Sequence, residues 1–214
     1  LKAIAPWDYL DTIWAGQGYV SLGIPVVEAD WLLSRDEIRI AHFGDRAAAR
    51  RVLEELDSDG TPQLELSVGD FGDLYRTLGL RLEQDLRNVG FDVNLTFLNP
   101  IQYAEQVVAD KKYDVSLGVL APTSGTTNFL LATLHSQGRL NLAAHNDKTL
   151  DNMIEAQALQ TDIEKRKGDL KEIQRYLLDN AYLFSPITGA YRWVLSSRVR
   201  DFYPTPAASE YSYW

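Results

Sequence analysis

Hydrophobic and polar positions alternate along the chain at two spacings, and where the spacing changes the elements can be read off. Residues 1 to 14 carry Ile4, Leu10, Ile13 and Trp14 at helical intervals with Pro6 near the start, which predicts a short helix closed by Gly16-Gln17-Gly18. Residues 19 to 44 are apolar but broken, through Ile24-Pro25-Val26-Val27 and Trp31-Leu32-Leu33, and read as a packed meander over one side of a core. From Asp45 the pattern is regular. Asp45 is placed to cap a helix over Arg46 to Leu56 with Ala48, Val52, Leu53 and Leu56 inward, and Asp57 to Gly60 is a turn. Leu64 to Val68 then reads as a strand, and Leu74 to Val89 as a helix with Leu78, Leu82, Leu86 and Val89 on one face, stopped by Gly90. Val93 to Phe97 is a second strand, Ile101 to Ala109 a helix, and Val115 to Leu120 a third, central strand.

Strand and helix thus recur every 20 to 30 residues, the pattern of right-handed βαβ crossovers and an α/β fold with a mostly parallel sheet. Such strands bring their carboxyl ends to one edge, outside which open α/β sheets bind ligands. The loops there supply the candidate ligand-binding residues: Asp70 and Phe71 after the first strand, Asn99 after the second, and Ala121, Pro122, Thr123, Ser124, Thr127 and Asn128 after the third. The last loop is built of small, hydroxyl and turn-forming residues, and Thr127 or Asn128 is placed to cap a helix beginning at Phe129. Helices follow over Leu150 to Gln160 and Thr161 to Ala181, the latter with Leu170, Ile173, Tyr176, Leu177 and Ala181 inward. Strands are expected at Tyr182 to Thr188 and Tyr191 to Leu195, and the tail from Phe202 to Trp214 has no period.

Composition narrows the function. A formal charge of -9 over 214 residues argues against nucleic acid as a partner, and Lys165-Arg166-Lys167 is interleaved with Asp162, Glu164 and Asp169 as a solvated face. With no cysteine there is no disulfide, thiolate metal site or cysteine nucleophile. His42, His135 and His145 share no metal-ligand spacing, and no GxSxG, Walker A or GxGxxG motif occurs. Asp70 lacks an obvious partner, and Asp114 falls at the strand end opposite the binding edge. The expectation is a binding protein with neither catalysis nor cofactor. Trp7, Trp14, Tyr19, Trp31 and Trp193 exceed what sheet packing requires and suggest a face covered by a ligand or a companion domain. The opening Leu1-Lys2-Ala3 suggests a processed or excised chain, so destination cannot be read from the missing signal.

Four segments in order carry a resemblance. They are Asp45 to Leu56 before Asp59-Gly60; Leu82-Glu83-Gln84-Asp85-Leu86 through Gly90-Phe91-Asp92-Val93; Tyr113-Asp114-Val115-Ser116-Leu117-Gly118; and a series of Asn141, Asp151, Ala156, Arg166 and Glu172-Ile173-Gln174. Over residues 45 to 190 the chain resembles the extracellular solute-binding proteins of ABC importers, of the peptide/nickel family. The resemblance implies one periplasmic-binding-protein-like lobe: a lead-in over 1–44, a core over 45–194, and a return segment over 195–214 toward an amino-terminal lobe. It implies a small-molecule solute bound between lobes by hinge closure, delivery to a membrane permease, and an extracytoplasmic location. A ligand-sensing domain of a transcriptional regulator with the same fold is the alternative.

One departure bears on the solute. Peptide binders of this family carry an acid in the loop after the third strand. Aligned without gaps from Gly118 to Phe129, its place is taken by Pro122, and the usual Trp by Val119. No Asp or Glu lies between Asp114 and Asp147. A buried ammonium without a countercharge is costly, so the expectation is a neutral or polyhydroxyl solute rather than a peptide.

Overall fold

A computed structural model describes residues 1–26, 29–55, 60–119, 125–183, 185, 187–189 and 194–202. Three parallel strands form its sheet in the order β3-β2-β4: β2 (Gln63–Gly69), β3 (Asp92–Leu98) and β4 (Val115–Leu117). The central strand is therefore β2, and β4 is a three-residue strand on its flank rather than the long central one expected. Val115 and Leu117 are half-buried and Val119 is 47% exposed, so the apolar run after Asp114 is not a core strand. Asp114 has a different task. Its carboxylate accepts from the Glu65 backbone N–H at 2.8 Å and its own N–H donates to the Glu65 carbonyl, which fixes the register of β4 on β2.

The crossover from β2 to β3 is α4 (Asp73–Val89), and that from β3 to β4 is α5 (Pro100–Tyr103), continued as a π-helical stretch over Ala104–Ala109. Chain direction reverses between the two crossovers along the sheet, so right-handed connections put them on opposite faces. Leu64, Leu66 and Val68 of β2 pack with Val93, Leu86 and Val89 beneath α4. Gly90 ends α4 in the left-handed conformation (φ 116°), as its sequence position suggested. Before β2 comes α3 (Arg46–Glu55), capped by Asp45, whose carboxylate accepts from the Ala48 N–H at 2.9 Å. It lies on the sheet through Ala49 and Leu53. Val52, expected inward, is 49% exposed, and Leu56 is outside the described residues.

A second and larger core joins α1 (Pro6–Ile13), α2 (Arg35–His42), α7 (Lys148–Leu159) and α8 (Ile163–Asn180) with the helix that follows β4. That helix is α6 (Thr126–Phe129), running on as a π-helix over Leu130–Leu134. The meander over 19 to 44 is more regular than its sequence suggested. It contains a 3-10 turn at Ala29–Trp31 and α2, whose cap Ser34 accepts from the Glu37 N–H. Its Arg-Asp-Glu first turn and alternating charges mask the apolar stripe that periodicity detects. In α8 Leu170, Ile173 and Leu177 are buried as expected, Tyr176 is half-buried, and Ala181 is the exposed left-handed cap (φ 55°). Of the strands expected near the end, only β5 (Thr188–Gly189) is present among the described residues. It pairs antiparallel with β1 (Gly18–Tyr19), so incoming and outgoing chain run side by side. Residues 191–193 lie outside the described residues, and Val194 and Leu195 are not in a strand.

The two cores meet along α4. Leu78 and Leu82 face the helical core, Leu86 and Val89 face the sheet, and Leu82 touches both. At the same junction Asp85, 1% exposed, accepts from the Tyr9 hydroxyl at 2.7 Å and from Arg46 Nη2 at 2.7 Å. Burial, then the bond to Asp85, pushes the Tyr9 phenol upward, so it stays a donor.

Candidate functional site

Register fixes the carboxyl edge of the sheet: Gly69 pairs with Leu98, and Val68 with Leu117. The loops at Asp70, Asn99 and Gly118 therefore leave the sheet together, as expected from the order of elements. Two of them are tied directly, the Asp70 N–H donating to the Leu98 carbonyl at 2.7 Å.

Asp70, Phe71, Asn99 and Thr127 each have a definite employment. Asp70 has the partner that its sequence context did not reveal. Arg76, at the end of the first turn of α4, donates to both carboxylate oxygens, Nε at 2.9 Å and Nη2 at 2.5 Å. The guanidinium lies 5.2 Å over the Phe97 ring, and its pairing with Asp70 raises the Arg76 pKa further. Phe71 folds back on the sheet. Its ring occupies the space a Cβ on Gly69 would need, 2.1 Å away, and meets Tyr75 and Tyr103 edge-on at centroid distances of 5.4 and 5.3 Å. Tyr103 in turn lies against Gly118, where a Cβ would stand 2.1 Å from its hydroxyl oxygen. Gly69 and Gly118 are thus small because aromatic rings cover them.

Asn99 is a cap. Its side-chain oxygen accepts from the N–H groups of Ile101 and Gln102 at 3.0 Å, and Gln102 returns a bond to the Asn99 N–H, a complete capping box. Thr127 is not a cap, since Gly125 (φ 76°) holds that position without a side-chain bond. Its hydroxyl instead accepts from Arg166 Nη2 at 2.7 Å and from Gln157 at 3.4 Å, while Arg166 Nε donates to Gln157 Oε1. Gln157 is fully buried and Arg166 lies over the Trp31 ring at 5.8 Å, so the start of α6 is bolted to α7, α8 and the 29–31 turn. Asn128 is exposed. Ala121, Pro122, Thr123 and Ser124 lie outside the described residues.

The structure therefore gathers Asp70, Phe71 and Asn99 on one edge, with Thr127 at the helix after the third strand. It also assigns most of their polar atoms to internal bonds. Among the described residues, apolar side chains face outward beside the polar ones: Ile101 is 71% exposed and Leu74 and Val119 are exposed, as are Asp73, Asn99 and Gln102. Sequence reasoning missed Arg76, Tyr75 and Tyr103 here. Only the Asp-x5-Arg spacing at a helix start hinted at the ion pair, and nothing in the sequence announced the stacking of Tyr103 on Gly118.

Among the described residues no group of three or more His, Cys, Asp or Glu is arranged to hold a metal ion, and no helix is long and apolar enough to cross a membrane.

No family model matches the sequence, and no curated protein matches it. Solved structures do. An ABC transporter substrate-binding protein from Listeria monocytogenes superposes with a TM-score of 0.74 at 16% identity, over 87% of this chain and 38% of that one. A dipeptide-binding protein from Pseudoalteromonas sp. SM9913, in complex with Met-Leu, gives 0.71 at 18%, over 87% and 38%. A periplasmic oligopeptide-binding protein from Thermotoga maritima with bound mannohexaose gives 0.68 at 15%, over 88% and 40%. The likeness establishes the fold, that of part of an ABC-transporter substrate-binding protein. The chain spans about two-fifths of the length of these structures.

Proposed function

We propose that this chain is one lobe of an extracytoplasmic solute-binding protein serving an ABC importer, with a lead-in over residues 1–44, a core over 45–194 and a return segment over 195–214. The observation that carries the reading is the convergence of three parallel-strand ends, with Asp70, Phe71 and Asn99, on one edge of a fold that covers about two-fifths of proteins of this kind. The edge exposes apolar Leu74, Ile101 and Val119 beside polar Asp73, Asn99 and Gln102, the mixture a surface closing on solute and a second lobe can use. The pairing of β1 with β5 supports the same reading, because incoming and outgoing chain run together, as a lobe inserted through a double crossing requires. The chain performs no catalysis and needs no cofactor in this role. Its partners are the solute, the remaining lobe and the membrane permease. The ligand contacts are Asp70, Phe71 and Asn99, with the loop from Ala121 to Asn128.

The solute is neutral or polyhydroxyl rather than a peptide. The acid that would face a peptide amine is replaced by Pro122, and the Asp70 carboxylate is held by Arg76. Asp73 sits at the first turn of α4, where the helix dipole already favours it. Of the similar structures, the Thermotoga protein holds mannohexaose and the Pseudoalteromonas protein a dipeptide, so the fold accommodates both classes. Calorimetric titration of the protein at its full encoded length, against mannohexaose and against Met-Leu, tests this. The expected result is heat of binding with the saccharide and none with the dipeptide. Tight dipeptide binding with no response to saccharides would sink the assignment.

A further inference from the structure

Parallel strands are ordinarily buried on both faces and read as continuous apolar runs. Those of this sheet alternate. On the α4 face stand Leu64, Leu66 and Val68, and on the other Glu65 and Ser67. The register carries the alternation across all three strands: Thr96, Ser67 and Ser116 form one row, and Asn94 and Glu65 the next. A single hydroxyl row and an adjoining amide and carboxylate row thus occupy a face that a fold of this kind usually fills with hydrocarbon.

The helix over that face is too short to hide them. Pro100–Ala109 spans about 15 Å. Tyr103 and Val107 pack with Leu98 and cover the half of the face nearest the carboxyl edge. Beyond them lies an open groove of about 300 Å³, with Glu65, Ser67, Thr96, Gln106, Tyr113 and Asp114 among its walls. Ser67 forms part of its wall. The residue is 8% exposed, in the central strand, and its hydroxyl makes no hydrogen bond among the described residues. The hydroxyl opens onto the groove, where water or a ligand hydroxyl can meet it. Ser116, its neighbour in the row, is half-buried in β4.

We propose that this groove is a second binding site, separate from the carboxyl edge, for a neutral polyhydroxyl molecule of one or two sugar rings. The volume matches that size. The free groups are the Ser67 and Thr96 hydroxyls, the Gln106 amide, and carboxylates at Glu65 and Asp114 that retain spare lone pairs. Glu65 accepts from Asn94 Nδ2 at 2.9 and 3.1 Å, and Asp114 accepts from the Glu65 N–H, so both are held in place to receive ligand hydroxyls. Of the other two wall residues, Lys112 is paired with Asp110 at 2.7 Å and the Tyr113 hydroxyl donates to the Leu142 carbonyl, so Glu65 and Asp114 set the charge of the groove.

The test is a titration of the 214-residue chain with D-mannose, followed by backbone amide NMR shifts, with putrescine as a cationic control. The expected result is saturable shifts at residues 65–67, 94–96 and 112–116. Ser67→Val should weaken binding about three- to tenfold, the loss of one hydrogen bond. Thr96→Val, at an exposed position, should weaken it similarly and serves if Ser67→Val fails to fold. Three results would overturn the site: no saturable shift by about 50 mM mannose, shifts confined to residues 70–72, 99–101 and 118–128, or equal affinity in both variants. Shifts of the same size with putrescine would overturn the ligand class. Binding confined to the carboxyl edge would leave the proposed transport role standing while removing this groove.

Discussion

His145 occupies an unusual position for an ionisable side chain. Its ring stacks on Tyr182 at 4.5 Å, both ring nitrogens are sealed from solvent, and neither closes a hydrogen bond of ordinary geometry. Burial holds its pKa below the usual value of about 6.5, against the opposing pull of Asp151 and Asp147, with His135 adding to the depression. Burial lowers His42 as well. Asp147 lies below the usual carboxylate range because the Tyr176 hydroxyl, then backbone amides and Tyr182, donate to it. All three shifts act in one direction. The unfolded chain takes up protons at a higher pH than the fold does, so stability rises with pH across each interval. The histidine contribution is complete above about pH 6.5 and is lost as pH falls through the folded values, and that of Asp147 is lost below about pH 4. Urea midpoints measured from pH 8 to 3 should therefore fall in two stages, and His145→Phe, which keeps the stack, should shrink the first. A midpoint unchanged between pH 7 and 5 would contradict it. At this scale the sequence was legible only in part. Asp45 as a cap and Gly90 as a helix stop follow from local chemistry. The Asp70–Arg76 pair and the isolation of His145 depend on what the fold brings alongside.

Among elements, helices and strands with a strong period were legible: β2, α4, β3 and α8 stand within two residues of where apolar spacing puts them. Errors fall where packing overrides pattern. The run after Asp114 is as apolar as a core strand, yet only Val115–Leu117 joins the sheet, on the flank of β2. The Tyr103 ring lies over the face of Gly118, the residue just after the last paired position. The π-helical turns after α5 and α6 were also invisible, because their apolar spacing resembles that of an α-helix over so few residues. The segments that carried the family resemblance prove to be scaffold. Arg166 bolts the start of α6, Gln174 donates to the Trp31 carbonyl and accepts from the Leu33 N–H, and Asn141 bridges the carbonyls of Ser136 and His145. They reveal the fold and leave the solute unspecified. Gly118→Ala tests the Tyr103 contact. The added methyl should cost about 1–3 kcal/mol by overpacking, read as a lowered melting temperature, with Tyr103→Ala restoring part of the loss in the double variant. A neutral Gly118→Ala would mean that the ring moves aside freely.

For the molecule as a whole the decisive feature is the junction between its two cores. One core is helical and holds Trp7, Trp14 and Trp31, the other is the sheet with α3 and α4, and α4 belongs to both. Contacts across the junction are specific: Leu82 packs both ways, Asp85 gathers Tyr9 from α1 and Arg46 from α3, and Arg81 lies over the Tyr9 ring. The halves unfold as one unit only while that seam costs more to open than either half costs to lose. The sequence showed Leu82 as one more inward position on a helical stripe, and Asp85 as a charge on the same helix. Their joint role exists only once α1 and α3 are folded against α4. In the parent chain, tryptophan fluorescence and far-ultraviolet dichroism should report a single urea transition. Leu82→Ala should lower its midpoint by about 2 kcal/mol of stability, less than for a fully buried leucine because the side chain is half-exposed. Combined with Asp85→Ala, which strands Arg46 and Tyr9 without their acceptor, it should separate the two signals. The fluorescence, weighted to the helical core, and the dichroism, which also reads the sheet and α4, should then have different midpoints. Coincident transitions in the double variant would mean that cooperativity resides elsewhere, in the wider packing of α4 rather than in these two side chains.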